Sequence, residues 1–226
     1  MAGIILEGVT GAGKTMLFRA LQAWLVENRA SNTKLLLSEH YSERVLEACR
    51  KAGSLGEDDV LAHLATLLQP LSDLERLWSQ SGLSSTSPAA RVVTVIERFL
   101  LGHMVNMKCQ ELDRWPAGCT RAIEGLYRQA DALGLHTVVL VLPAGQLAER
   151  IRSTRGHRNA AWSAFLDSFG SEEAAIAHFE RWQELLLTVV DRLQPIVRPQ
   201  LIDMSAVTRP DDYANLAQRL CEATFR

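Results

Sequence analysis

Eight residues near the start of the chain constrain its folding more than any other stretch. Gly8-Val9-Thr10-Gly11-Ala12-Gly13-Lys14-Thr15 fits Gly-x-x-x-x-Gly-Lys-Ser/Thr at every fixed position. Chance would place such a string in roughly one chain of this size in a hundred. Its surroundings make chance a poorer explanation. Gly3-Ile4-Ile5-Leu6 is a short apolar run suited to a buried parallel strand. Beyond the motif, Leu17, Leu21, Trp24 and Leu25 recur at helical spacing, so a helix is expected from about Lys14. Strand, glycine turn and helix in that order form a phosphate cradle. The glycines let successive N–H groups point inward, and the helix N-terminus adds partial positive charge. Gly8, Thr10, Gly11, Ala12, Gly13, Lys14 and Thr15 are the candidate contacts to a nucleoside triphosphate. Lys14 would reach the outer phosphates, and the Thr15 hydroxyl would help to hold Mg²⁺.

The 226 residues suffice for one well-cored α/β domain spanning the whole chain, with room for an added helical segment. A net charge of −2 provides no field to attract nucleic acid or an anionic membrane. Cys49, Cys109, Cys119 and Cys221 are scattered without Cys-x-x-Cys spacing, as in a reducing compartment. The motif begins at the eighth residue and no apolar run is long enough for a membrane span. The expectation is therefore a cytoplasmic chain without a signal peptide. A homodimer is compatible with this reading.

Four further strands are expected at Lys34–Ser38, Arg91–Ile96, Leu135–Leu142 and within Ile196–Met204. Helices are expected between them. One follows Ser42, two in 57–80 are broken at Pro70, and one runs from about Phe99 to Arg114. Another continues to Leu133, and others lie at Gln146–Ser153, Trp162–Phe169, Ser171–Leu193 and Asp211–Ala223. Ser81–Pro88 is a loop by composition, and Thr154–Asn159 a basic, glycine-broken loop. Strands alternating with helices predict a doubly wound, three-layer α/β fold with a five-stranded parallel sheet. Ligands then bind at the strand carboxyl ends.

Three expected strands finish on an acid: Glu39, Glu97 and Asp203. A triphosphate site needs an acid for Mg²⁺ and a base for the acceptor hydroxyl. Glu97, after the hydrophobic lead-in Val92–Ile96, is the metal-side candidate, and Glu39 the candidate base. Asp203 serves equally well as a structural cap. Arg150, Arg152, Arg155 and Arg158 form a second group. No acid lies between Arg150 and Trp162, so these cations are expected to lack local partners and to act as a flap over a triphosphate.

Taken together, Leu-Glu-Gly-Val-Thr-Gly-Ala-Gly-Lys-Thr (6–15), Glu39, Glu97-Arg98 and Arg-Ile-Arg-Ser-Thr-Arg-Gly-His-Arg (150–158) resemble the deoxynucleoside kinase and thymidylate kinase branch of P-loop kinases. The resemblance implies that Glu97 and Arg98 serve Mg²⁺ and the transferred phosphate. It also implies that Glu39 is the hydroxyl base and that 150–160 is the lid, with Arg152, Arg155 and Arg158 on ATP. The chain departs from that pattern at Thr10, where thymidylate kinases carry Asp, and at Phe99, where deoxynucleoside kinases carry Ser. It departs again at Asn159-Ala160, where those enzymes have a sugar-holding acid. The 53–90 stretch, read as a helical insertion on the acceptor side, matches no substrate pattern.

The expected function is ATP-dependent transfer of the γ-phosphate to a hydroxyl of a nucleoside or nucleoside-like acceptor. A nucleoside monophosphate kinase, an antibiotic or natural-product phosphotransferase, and a non-catalytic nucleotide sensor are the alternatives. Asn-Lys-x-Asp, Leu-Ser-Gly-Gly-Gln and a strand ending Asp-Glu are absent, which argues against signalling GTPases and transporter or repair ATPases. Trp24 and Trp182 read as core, and Trp78 as a candidate for the acceptor pocket.

Overall fold

The computed structural model describes residues 1–29, 32–38, 57–81, 92–108, 117–156, 160–194 and 198–225. In chain order these form β1 (Ala2–Gly8), α1 (Lys14–Asn28), β2 (Lys34–Leu37), α2 (Glu57–Ser81) and β3 (Val93–Glu97). Next come α3 (Leu101–Lys108), α4 (Ala117–Ala132), β4 (Leu135–Val141) and α5 (Ala144–Arg155). The last are α6 (Ala160–Asp167), α7 (Glu172–Leu193), β5 (Gln200–Asp203) and α8 (Pro210–Thr224).

The strands form one parallel sheet in the order β2-β3-β1-β4-β5. Parallel strands need crossovers, and the crossovers place helices on both faces. Ile4, Ile5 and Leu6 of β1 and Val95 and Ile96 of β3 accordingly have almost no exposure. That is why these strands read as unbroken apolar runs. From β1 the chain crosses towards β2, and from β3 it crosses the other way to β4. The sheet therefore reverses direction between β1 and β3, and a crevice opens at their carboxyl ends. Gln183 of α7 ties one helix layer to the sheet: its side-chain amide donates to Leu142 O at 2.7 Å and accepts from Leu142 N at 3.0 Å.

The sequence predicts a helix break at Pro70, and the structure corrects it: α2 runs through Pro70 without interruption. Proline inside a helix costs about 3 kcal/mol. Leu61, Leu64, Leu67, Leu68 and Leu71 lie on both sides of it and are all buried in the core. Each contributes about 1.5–3 kcal/mol on burial, so their stripe outweighs the lost bond. The Met1 ammonium pairs with Glu75 at 2.7 Å, and Gln129 of α4 donates to Ser72 Oγ at 3.0 Å. This part of the 53–90 stretch is thus packed into the main core, in the crossover from β2 to β3.

Helix α5 is longer than expected, taking in Thr154 and Arg155, which the sequence had assigned to a loop. The favourable placing of Arg152 and Arg155 in its last turn, against the negative end of the helix, accounts for the extension. The helix expected from Ser42, most of the serine-rich loop and the end of the helix towards Arg114 lie outside the described residues.

Candidate active site

The Gly8–Thr15 turn leaves β1 and enters α1 with the backbone reversals that only glycine makes easily. Gly8 has φ 144° and Gly13 φ 93°. A Cβ at Gly8 would lie 2.7 Å from Leu140 O, and one at Gly13 would lie 2.4 Å from the Tyr213 hydroxyl. Tyr213, on α8, thus stands directly behind the turn. Arg150 of α5 donates to that hydroxyl at 3.0 Å, to Met204 O at 3.1 Å and to Val207 O at 2.7 Å. Its guanidinium knits α5, the segment after β5 and the Tyr213 hydroxyl behind the glycine turn together.

Ala12 is buried, Thr10, Gly11 and Gly13 are half-buried, and Thr15 is exposed at the start of α1. Lys14 is buried, with its ammonium donating to Gly8 O at 3.0 Å and Val9 O at 3.2 Å. Glu97 comes within reach because β3 pairs with β1 in parallel, Leu6 opposite Glu97. The Thr15 hydroxyl donates to Glu97 Oε1 at 2.7 Å, across 82 residues of chain. Two hard oxygens therefore meet at a helix N-terminus that favours anions, a donor set suited to Mg²⁺.

Arg98, next in the chain and buried, has φ 60°, the one positive value among described non-glycine residues. That conformation costs on the order of 1–3 kcal/mol and persists where surrounding contacts enforce it. The first contact is its own N–H, which donates to Leu6 O at 2.8 Å. The rest come from a residue absent from the sequence-based candidates. Glu7, wholly buried in β1, accepts the backbone N–H of Phe99 at 3.1 Å, Leu101 at 2.9 Å and Gly102 at 3.2 Å. Burial pushes its carboxyl above the usual range, while those N–H groups and the Arg98 charge pull it back down. Burial, with the Glu7 charge beside it, likewise pushes the Tyr127 phenol well up. An acid in the middle of the apolar run Ile4–Val9 was the available signal for Glu7.

Asp203 is exposed and accepts Ser205 N–H at 2.8 Å. The Ser205 backbone and side-chain hydrogen bonds hold its carboxyl below the usual range, and the role visible there is a turn cap. The arginine group divides. Arg152 Nε donates to Glu172 Oε1 at 2.9 Å, and Arg155 pairs with Asp167. The window 150–162 holds no acid, as the sequence indicates, but α6 and the start of α7 fold back and bring acids from outside it. Trp162 of α6 donates to Thr154 Oγ1 at 3.2 Å across the same junction. Trp182 is buried, while Trp24 and Trp78 are half-buried. Glu39 and Arg158 lie outside the described residues.

The sheet order, the glycine turn at the end of β1 and the Thr15–Glu97 pairing define a P-loop NTPase fold of the three-layer α/β kind. The chain is similar in structure to a thymidylate kinase from Ehrlichia chaffeensis, with a TM-score of 0.51 over 98% of each chain at 13% sequence identity. No protein-family model and no curated protein matches the sequence. Among the described residues no helix is long and apolar enough to cross a membrane.

Proposed function

We propose that the protein is an ATP-dependent phosphotransferase that moves the γ-phosphate to a hydroxyl of a nucleoside or nucleoside-like acceptor. The observation that carries this reading is the Thr15–Glu97 hydrogen bond at the mouth of the glycine turn, with buried Lys14 beside it. The Thr15 hydroxyl and the Glu97 carboxylate would hold Mg²⁺, which when bound neutralises charge on the outer phosphates. Backbone N–H groups from Gly8 to Thr15 bind the phosphate chain and orient it. Lys14 exchanges the Gly8 and Val9 carbonyls for phosphate oxygens, and Arg98 meets the transferred group. Arg152, Arg155 and Arg158 close over ATP from the lid side.

Glu39 is the general base in this reading. It follows β2 in the chain, and β2 is separated from β1 by β3 in the sheet. A carboxylate there repels an incoming phosphate and favours a neutral acceptor. The structural likeness to a thymidylate kinase over nearly the whole of both chains favours a second reading, in which the acceptor is a nucleoside monophosphate. Nucleotide turnover with nucleosides, their monophosphates and hydroxylated natural products separates the two. Turnover with nucleosides or natural products supports the first, and turnover confined to monophosphates the second. ATP binding without turnover of any acceptor would leave a nucleotide sensor.

A further inference from the structure

We propose that Glu7 is a positioning residue for the phosphate site: its buried carboxylate holds the turn that keeps Arg98 aimed at the transferred phosphoryl group. The inference rests on the phosphotransferase reading for what Arg98 does, and on the structure alone for what Glu7 does. Glu7 is wholly buried in β1. A carboxylate in such a place is unfavourable unless its oxygens are met by donors. All three backbone donors that meet it, Phe99, Leu101 and Gly102, come from the single turn after Glu97-Arg98. Two of them, Leu101 and Gly102, open α3, where a negative charge is stabilised.

The turn so held contains the left-handed Arg98. With the Arg98 N–H on Leu6 O and the following N–H groups on Glu7, β1 grips that residue from both sides. Gly102 supplies the room. A Cβ there would lie 3.0 Å from Arg98 Cγ and 3.3 Å from Glu7 Oε2, so the arginine stem runs past Gly102 alongside the carboxylate. Glu7 also gives a buried cation its counter-charge before a polyanion arrives. Among the described residues, Arg98 and the Tyr127 phenol are the charged and titratable groups that interact with it.

A double-mutant cycle with Glu7→Gln, Arg98→Ala and their combination tests the idea. The amide keeps the size and loses both the charge and one acceptor. Glu7→Gln should lower kcat roughly ten- to hundredfold, the scale of a misplaced reacting group, with KM for ATP changed by less than about twofold. In the Arg98→Ala background the same change should cost less than about twofold more. Equal losses in both backgrounds would overturn the proposal.

If Glu7→Gln does not fold, Gly102→Ala takes its place, because it displaces the arginine stem and leaves the charge intact. It should lower kcat and again be silent without Arg98; normal turnover would overturn the proposal. The ¹⁵N signal of Arg98 Nε, assigned by its loss in Arg98→Lys, provides a readout that needs no acceptor. ADP with aluminium fluoride should shift it in the wild type and leave it unmoved in Glu7→Gln. No shift in the wild type, or the same shift in both, would overturn the proposal. Failure of the wild type to turn over any acceptor would count against the phosphotransferase reading alone.

Discussion

The glycine turn and the end of α5 both carry cations that the proposed function would set on a triphosphate, but they are built on opposite physical terms. Lys14 and Arg98 are buried, and their settings are enforced by backbone carbonyls, by Glu7 and by the pairing of β1 with β3. Arg152 and Arg155 are about half exposed, at 54% and 42%, and each is paired with a solvent-facing acid. A buried cation in a low-dielectric setting acts strongly and needs no rearrangement of the fold. An exposed ion pair is worth at most about 1 kcal/mol, so its partner is exchangeable. In the proposed reaction the first region would stabilise charge on the reacting group, and the second would open and close over it.

The largest effect expected from this difference is at Lys14. Lys14→Ala should leave the fold intact and lower kcat by roughly two or more orders of magnitude, read by steady-state turnover beside a thermal melt. Near-normal turnover would remove the contrast altogether. Glu39→Gln comes next: it should retain ATP binding and lose about a hundredfold in kcat, the scale of general-base catalysis. Normal turnover in that variant would pass the base role to another acid, with Glu97 first in line.

The exposed region should respond more weakly and in the opposite sense. If phosphates compete with Asp167 and Glu172 for the arginines, Asp167→Asn with Glu172→Gln should tighten ATP binding by less than about fivefold. Calorimetry measures it, and weaker binding would contradict the competition. Hydrogen exchange over 153–159 should also slow when a non-hydrolysable ATP analogue is added. Unchanged exchange would return these arginines to a solvated surface role.

The smallest effect concerns support for the turn from behind. Asp212 accepts the N–H groups of Arg209 and Thr208 at the start of α8, the helix that carries Tyr213. Those bonds lower its carboxyl from 3.8 to about 2. A depressed carboxyl stabilises the fold above its unfolded value and loses that contribution as pH falls through the folded one. Thermal melts of wild type and Asp212→Ala should therefore differ at neutral pH and converge between about pH 4 and pH 2. Parallel curves down to pH 2 would show that the cap does not support α8.

Much of the fold was legible in the sequence because its signals are local. The motif at 8–15, the apolar runs of β1, β3 and β4, and the helical spacing after Lys14 each declare an element within a dozen residues. Alternation of those elements then leaves few topologies other than a doubly wound sheet. The Thr15–Glu97 contact was legible too, since a strand ending in Glu97 and a turn ending in Thr15 approach when their strands are neighbours. Local rules failed where distant packing outweighed them, as at Pro70, whose helix-breaking cost is exceeded by five buried leucines.

What only the tertiary structure decided is the set of partners. Glu7 meets its three N–H donors 92 to 95 residues away, Arg150 finds its carbonyls and the Tyr213 hydroxyl 54 to 63 residues on, and Arg152 meets Glu172 after 20. A side chain's type is written at its own position, but its burial and the charge opposite it are set by whichever segments fold against it. The sequence by itself therefore determined the glycine turn and the strands that flank it. The packing of distant segments decided which cations are locked there and which remain free to exchange partners.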